Sequence, residues 1–254
     1  GIVKYRESDK KDGIAADIKQ FCEKNDCEHF VVKPTDEQGG EHVKFFILDE
    51  AERAADYILA LMKDNHNVLV EKRIFALPIV IDGEEKDWNL RVFVTRDDNN
   101  ELIVGDMEVR IDKIGGPVNI SLNASVMTFE SIVERLGMEE EAASQLKAEV
   151  EDLAIRAFKA IDKGMRDNEK IPEQAEQDWA GVDVIITKVG DRMKPVILEF
   201  NDHHSGGMWD LDNILPKEEE GRASRALAGL MIMRACRHKM EKTAGKIEAV
   251  GKNE

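Results

Sequence analysis

The feature that most constrains the fold is the stretch GVDVIITKVGDRMKPVILEFN, residues 181–201. Apolar residues run along both halves, and a Gly-Asp pair lies between them, which predicts two antiparallel strands joined by a tight turn. Residues two apart on a strand point to the same face of its sheet, so we expect Glu199 and Asn201 to project together. Asp183, on the first strand, can lie across from them.

Two carboxylates and an amide oxygen on one sheet face form a set of hard oxygen ligands. Such a set suits Mg²⁺, which keeps several waters and takes its other ligands from carboxylates and phosphates. The alternative is that these are strand-end residues facing solvent, and for Glu199 alone that alternative is preferred. The complete hairpin with its acidic and amide end favours a metal site.

A second feature is a lysine placed before a glycine-containing loop. Lys33 ends the apolar run FVVK, and DEQGGEHV, with Gly39 and Gly40, follows it. A lysine on a strand can hold phosphates while a flexible loop supplies backbone N–H donors, although a Gly-Gly pair in a polar loop is more often only a turn. The chain has no GxxxxGK[ST] motif, which excludes a P-loop, and no GxGxxG after a strand, which leaves a Rossmann site unsupported.

Two further features suit a nucleotide. The strand VLVEKRI, residues 68–74, breaks into a linker whose backbone N–H and C=O groups can meet an adenine edge. Arg91 and Arg110 occupy two successive predicted strands, and arginine stays charged and can neutralise a transferring phosphoryl group. For either arginine alone, a structural salt bridge is the more common role.

Hydrophobic periodicity predicts an α+β chain. Asp49 is expected to be the N-cap of the second helix. We expect a small subdomain over 1–74, a large one over 75–240 that carries the metal site, and a C-terminal tail over 241–254. The helices are predicted over 13–26, 49–64, 128–136, 139–164 and 218–240.

The composition of the chain limits the classes of partner that it is expected to bind. The net charge of −16 disfavours nucleic acid and anionic lipid, and no apolar run approaches the ~20 residues of a membrane-spanning helix. The cysteines Cys22, Cys27 and Cys236 are odd in number and lack CxxC spacing, which favours free thiols in a reducing cytoplasm. These observations predict a cytoplasmic protein that binds neither nucleic acid nor membrane.

The order of these elements is the most specific signal. The chain has, in order, a lysine strand, a glycine loop, a helix, a glutamate-bearing linker, two arginine strands, an asparagine-rich loop and the LEFN hairpin. This ordered series resembles the ATP-grasp superfamily over roughly residues 28–210. The resemblance is closest to the carboxylate–amine ligases, namely glutathione synthetases, D-alanine–D-alanine ligases and the ribosomal-protein glutamate ligases. It implies an ATP-grasp fold with two α/β subdomains that clamp ATP between antiparallel sheets.

The resemblance also implies roles for individual residues. Lys33 would bind the α- and β-phosphates of ATP, Gly39 and Gly40 would belong to the mobile loop above them, and Glu71, Lys72 and Ile74 would form the adenine hinge. Asp183, Glu199 and Asn201 would hold two Mg²⁺ ions. Arg110 and Arg91 would face the phosphoryl group that is transferred. Either Asn119 or Asn123 would match an asparagine of the family. The segment His203, His204, Ser205 and Gly206 would lie beside the acceptor substrate. For the two histidines, a purely structural role is an equally weighted alternative.

The reaction that the resemblance implies is phosphorylation of a carboxylate by ATP, followed by attack of an amine on the acylphosphate. The alternatives are a kinase of a small hydroxylated metabolite and a nucleotide-binding module without catalysis. These ligases usually carry an α/β domain before the grasp, and only ~30 residues precede Lys33, too few for a domain. The expectation is a truncated or minimal chain whose substrates are small-molecule or peptide carboxylates and amines.

Overall fold

The computed structural model describes residues 3–4, 11–35, 37, 40–97, 99–119, 122, 124–167 and 179–202. Several predicted features lie outside these residues. They are Gly39, Asn123, His203, His204, Ser205, Gly206, Cys236, the helix predicted over 218–240 and the tail over 241–254.

The described residues form α-helices and β-strands in a mixed order. The helices are α1 (Lys11–Lys24), α2 (Ala51–Lys63), α3 (Phe129–Arg135) and α4 (Glu140–Arg166). The strands are β1 (Val3–Lys4), β2 (His29–Pro34), β3 (Lys44–Ile47), β4 (Val68–Lys72), β5 (Ile79–Ile81), β6 (Glu84–Arg96), β7 (Leu102–Lys113), β8 (Ser125–Thr128), β9 (Trp179–Val189) and β10 (Arg192–Asp202).

The strands form two sheets. One has four strands in the order β1-β4-β2-β3, and the other has six, in the order β10-β9-β6-β7-β8 with β5 paired to β6. Antiparallel pairing joins β2 to both β3 and β4, and β9 to both β6 and β10. The predicted α+β class is therefore confirmed.

The chain divides into two compact units. The first comprises Gly1–Trp88 and Arg110–Ser125, and the second comprises Asn89–Val109 and Val126–Glu254. The subdomain bounds expected from the sequence, 1–74 and 75–240, stay a prediction. Among the described residues, no helix is both long and apolar enough to cross a membrane.

The core of the first unit forms where α1 and α2 cover one face of the four-stranded sheet. Ile18 of α1, Ile58 of α2 and Phe30 of β2 are all fully buried in one cluster. Burial alternates along β2, with Phe30 and Val32 buried and Val31 and Lys33 half-buried. The second face of this sheet is therefore the more open one, and it carries Lys33.

Cys22 and Cys27 belong to the same core. Both are buried free thiols, which confirms the prediction for these two residues. Burial, with a hydrogen bond to Cys27, raises the pKa of the Cys22 thiol to about 12. A thiol with so high a pKa carries almost no thiolate at neutral pH, so its contribution is to packing rather than to nucleophilic chemistry.

The predicted hairpin at residues 181–201 is confirmed as β9 and β10. Gly190 occupies the turn with a φ of 62°, a left-handed conformation that glycine adopts at no steric cost. The register shifts between Ile197 and Glu199, where the strand has a β-bulge or a similar irregularity. Such an irregularity re-aims the side chains that follow it, here those at the end of β10.

Two local expectations need correction. Asp49 is not the N-cap of α2, because it lies inside a 3₁₀ turn, Leu48–Glu50, and the cap position belongs to Glu50, whose side chain makes no capping hydrogen bond. The strands β3 and β8 were not predicted. Each has only 4 residues, too few to show a clear alternation of apolar and polar side chains.

Candidate functional site

The acidic and amide residues at the end of the β9–β10 hairpin meet on neighbouring strands of the second unit. Glu199 lies directly opposite Asp183 in the register of the two strands. The side-chain amide of Asn201 donates from Nδ2 to Oδ2 of Asp183 over 3.3 Å. Glu199 is exposed, whereas Asp183 is buried and Asn201 is half-buried. The structure thus brings the three sequence-predicted metal ligands to one end of the hairpin.

Arg91 of β6 forms an ion pair with Asp183. The two residues are Cα partners across β6 and β9. The guanidinium makes a two-point contact, with Nε bonded to Oδ1 and Nη2 donating to Oδ2 at 2.8 Å. Their side chains are 8% and 10% exposed, so the pair is shielded from water. Two charge-assisted hydrogen bonds to one guanidinium fix the orientation of the buried Asp183 carboxylate.

The donor set fits Mg²⁺ by its chemistry. Asp183 and Glu199 offer carboxylate oxygens and Asn201 offers an amide oxygen, which are the hard ligands that Mg²⁺ takes. Because Arg91 is bonded to both oxygens of Asp183, a cation bound there would share that carboxylate with the guanidinium. Glu199, being exposed, is the member of the set that a hydrated ion reaches most directly.

Lys33 forms an ion pair with Glu71 on the open face of the first unit's sheet. Its Nζ lies 2.6 Å from Oε2 of Glu71, and the two side chains are 25% and 35% exposed. Val31 is the Cα partner of Glu71, and Leu69 is that of Lys33, so the ion pair joins diagonal neighbours on β2 and β4. The sequence analysis assigns Lys33 to the phosphates of ATP and Glu71 to the adenine hinge. The structure brings the two side chains into direct contact.

The predicted adenine hinge contains one side chain with another task. The ammonium of Lys72 donates to the backbone carbonyls of Asn25 (3.1 Å) and Asp26 (2.7 Å), just after the end of α1. A cation there satisfies carbonyls that the helix leaves without intrahelical partners. Ile74 is half-buried in the segment after β4. A hinge at these residues would therefore use their backbone groups rather than the Lys72 side chain.

Sequence reasoning missed an arginine–aromatic cluster at the same segment. The guanidinium of Arg73 lies 4.2 Å from the ring centre of Phe45 and 4.6 Å from that of Phe75. Arg73 also donates to Asp87 at 2.9 Å, and the backbone N–H of Gly115 donates to the same carboxylate oxygen at 3.0 Å. The only signal in the sequence is the Arg-Ile-Phe run after the strand, and it does not identify Phe45 or Asp87.

Three more predicted site residues that the structure describes, Gly40, Asn119 and Arg110, lie in the first unit. Gly40 has a φ of 77°, and a Cβ added there would lie 3.2 Å from Cβ of Pro117, so glycine suits both its conformation and its close approach to that loop. The backbone carbonyl of Asn119 accepts from the N–H groups of Leu122 (3.0 Å) and Ala124 (3.1 Å). Arg110 is buried on β7 at 4% exposed.

Comparisons with known proteins bear on the fold. No family model matches the chain. Carnosine synthase 1 of Mus musculus is 28% identical over 128 residues, which cover 45% of this chain and 15% of that protein.

Two of the solved structures that resemble the chain are ligases or synthetases by name. The D-cycloserine synthetase DcsG matches with a TM-score of 0.54 at 14% identity, covering 90% of this chain and 63% of that one. The D-alanine–D-alanine ligase from Coxiella burnetii matches with a TM-score of 0.54 at 13% identity, covering 98% of this chain and 56% of that one. The chain thus spans less than two thirds of the length of each of these three relatives.

Proposed function

Because the chain has the ATP-grasp fold that its sequence resembles, we propose that it is an ATP- and Mg²⁺-dependent ligase. It would activate a carboxylate as an acylphosphate for attack by an amine, and release ADP and phosphate. The convergence of Asp183, Glu199 and Asn201 at the end of the β9–β10 hairpin is the observation that carries the proposal. The synthetase and ligase named among the similar proteins support the same reaction class.

The proposed metal site uses the hairpin's own rigidity. Asp183, Glu199 and Asn201 would hold Mg²⁺, which when bound neutralises charge on the phosphates of ATP. Arg91 would fix the orientation of the Asp183 carboxylate through its two-point contact, so that the oxygens are in place before the ion arrives. This preorganisation lowers the reorganisation needed on binding.

Further predicted site residues would contact the triphosphate and the base of ATP. Lys33, with its ammonium partly exposed, would exchange the carboxylate of Glu71 for phosphate oxygens when the nucleotide binds. Gly40, already in a left-handed conformation, would present loop N–H groups, and Arg110 would face the phosphoryl group in the transition state. In such an enzyme, positioning and charge stabilisation account for most of the catalysis.

The substrates would be a small-molecule or peptide carboxylate and an amine, met in the cytoplasm. The test is a screen of carboxylate and amine pairs for release of phosphate from ATP. We expect phosphate only when both substrates are present, since the acylphosphate forms at the carboxylate and is discharged by the amine. A stably phosphorylated product without an amine would contradict ligation and favour a kinase.

Lys33→Ala is expected to weaken ATP binding by about 10- to 100-fold, because a charged hydrogen bond to phosphate contributes about 1.5–3 kcal/mol. Titration calorimetry with a non-hydrolysable ATP analogue measures the change. Lys63→Ala is the matched control, since it removes an exposed ammonium at the end of α2 in the same unit. Equal affinities of the two variants for the ATP analogue would show that Lys33 does not bind the phosphates.

A further inference from the structure

A cluster of carboxylates and imidazoles lies in the first unit, in the loop between β2 and β3. Potential ligand atoms of Glu37, Glu41 and His42 all lie within 4.8 Å of one another. Nε2 of His42 is 3.6 Å from Oε1 of Glu37. Nε2 of His66, from the connection between α2 and β4, is 3.1 Å from the same oxygen. The four side chains are referred to below as the loop cluster.

Glu37 carries an acceptor without a partner. Its Oε2 is buried and has no hydrogen-bond partner among the residues that the structure describes, although its Oε1 lies beside both histidines. A buried carboxylate oxygen with no donor is destabilising, because it has lost its contact with water and gained nothing in return. The charge of Glu37 also contributes to a raised pKa of Tyr57, after the larger effect of burial. A cation at Oε2 would remove this deficit.

The backbone around the loop cluster is anchored on both sides. The hydroxyl of Tyr57 donates to the carbonyl of His42 at 2.8 Å. The N–H of Thr35 donates to the carbonyl of Asn67 at 2.7 Å, next to His66. The N–H of His66 in turn donates to the carbonyl of Leu61, at the end of α2, at 3.1 Å. These bonds hold the loop and the α2–β4 connection together, so the cluster does not depend on side chains alone.

We propose that Glu37, Glu41 and His42 bind a divalent transition-metal ion such as Zn²⁺. Ligands at about 2.0–2.2 Å from zinc in a tetrahedron lie about 3.3–3.6 Å apart, and the potential ligand atoms of these three residues already lie within 4.8 Å of one another. An imidazole nitrogen favours zinc and other divalent first-row transition metals over Mg²⁺, which takes oxygen ligands. The loop cluster belongs to the first unit and the hairpin residues to the second, and metal binding by the loop cluster does not rest on the proposed ligase function.

His66 is a positioning residue in this site. Its Nε2–H would donate to Oε1 of Glu37 and so direct Oε2 toward the ion. Metal-ligating carboxylates are commonly hydrogen-bonded in this way, and loss of such a partner typically weakens metal binding by about 10- to 100-fold. Glutamine can replace the donor, because its side-chain amide also carries an N–H.

The test is titration of the chelator-treated full chain with Zn²⁺, and with Co²⁺ as a spectroscopic probe, without nucleotide. We expect the full chain to bind one ion that His42→Ala does not bind, with a visible Co²⁺ absorption that disappears in that variant. His29→Ala, a histidine of the same unit outside the loop cluster, should retain the ion. Equal stoichiometry and affinity in His42→Ala and the unmodified chain would overturn the proposal, as would the absence of binding.

Further variants separate ligation from folding. Glu41→Gln changes an exposed side chain, so it serves as the second ligand variant if His42→Ala does not fold, and it should weaken binding of the ion at least 10-fold. His66→Ala should weaken binding about 10- to 100-fold while His66→Gln restores most of it. Equal loss in both His66 variants would contradict the positioning role. Excess Mg²⁺ should not displace the bound ion, because the site offers an imidazole nitrogen in addition to carboxylate oxygens.

Discussion

Glu199→Gln is expected to lower the rate of ATP turnover by about 10²–10³-fold while leaving the stability of the chain unchanged. The substitution keeps the shape of the side chain but removes the negative charge that would hold Mg²⁺ against the phosphates, and loss of one electrostatic contact in a transition state typically has this size. Glu199 is exposed on β10, and a substitution at an exposed position typically changes the free energy of unfolding by no more than about 0.5 kcal/mol. Phosphate release and thermal unfolding measure the two effects.

Glu134→Gln is the matched control for this variant. It removes the same charge from an exposed position of the same unit, on α3, and is expected to turn over ATP at the unmodified rate. Unchanged turnover by Glu199→Gln would show that Glu199 is not a metal ligand. A fall in both variants would mean that the net charge of the unit, rather than a bound ion, controls the rate.

Arg91→Leu is expected to lower the free energy of unfolding by about 3–5 kcal/mol. The substitution leaves the Asp183 carboxylate buried without its cation, and breaking one side of a buried ion pair typically has this effect. The Arg91→Leu/Asp183→Asn double variant should recover a large part of the loss, since its buried side chains are both uncharged. Urea denaturation of Arg91→Leu, Asp183→Asn, the double variant and the unmodified chain gives the coupling energy.

Additive effects of the two substitutions would contradict the ion pair as the source of this stability. Arg156→Leu is the comparison for an exposed pair, because Arg156 contacts Asp152 at 2.8 Å with both side chains more than half exposed. Such pairs contribute at most about 1 kcal/mol. A loss on removing Arg156 as large as that on removing Arg91 would point to a packing effect of the arginine stem.

The β9–β10 hairpin was predictable because its signals are local. The alternation along residues 181–201 and the glycine in the turn specify both strands and the residues that share a face. The contact between Asp183 and Asn201 follows from that pairing, since they are 18 residues apart on adjacent strands. Predicted site residues on one hairpin could therefore be expected to meet.

Contacts between distant segments were not predictable from one sequence. Arg91 and Asp183 are 92 residues apart, and their meeting depends on the register of β6 against β9, which no local pattern specifies. The ion pair of Lys33 with Glu71 depends in the same way on the register of β2 against β4. Residue types identified these side chains as candidates, and only the sheet showed which of them pair.

The loop cluster and the arginine–aromatic cluster were missed for a related reason. Each joins a loop to a residue beyond a helix or strand, as when Glu37 meets His66 across α2. Single histidines in polar loops are usually solvated, so their sequence positions carry little information. Their significance appears only when the fold places several ligand atoms within a few ångströms.

Titration calorimetry of this chain with a non-hydrolysable ATP analogue, with and without Mg²⁺, tests the central claim most directly. The claim is that the chain binds ATP through Mg²⁺ held by Asp183, Glu199 and Asn201. We expect binding that strengthens at least 10-fold when Mg²⁺ is added, because the ion neutralises the repulsion between phosphates and these carboxylates. An affinity that is the same with and without Mg²⁺, or no binding at all, would contradict the claim.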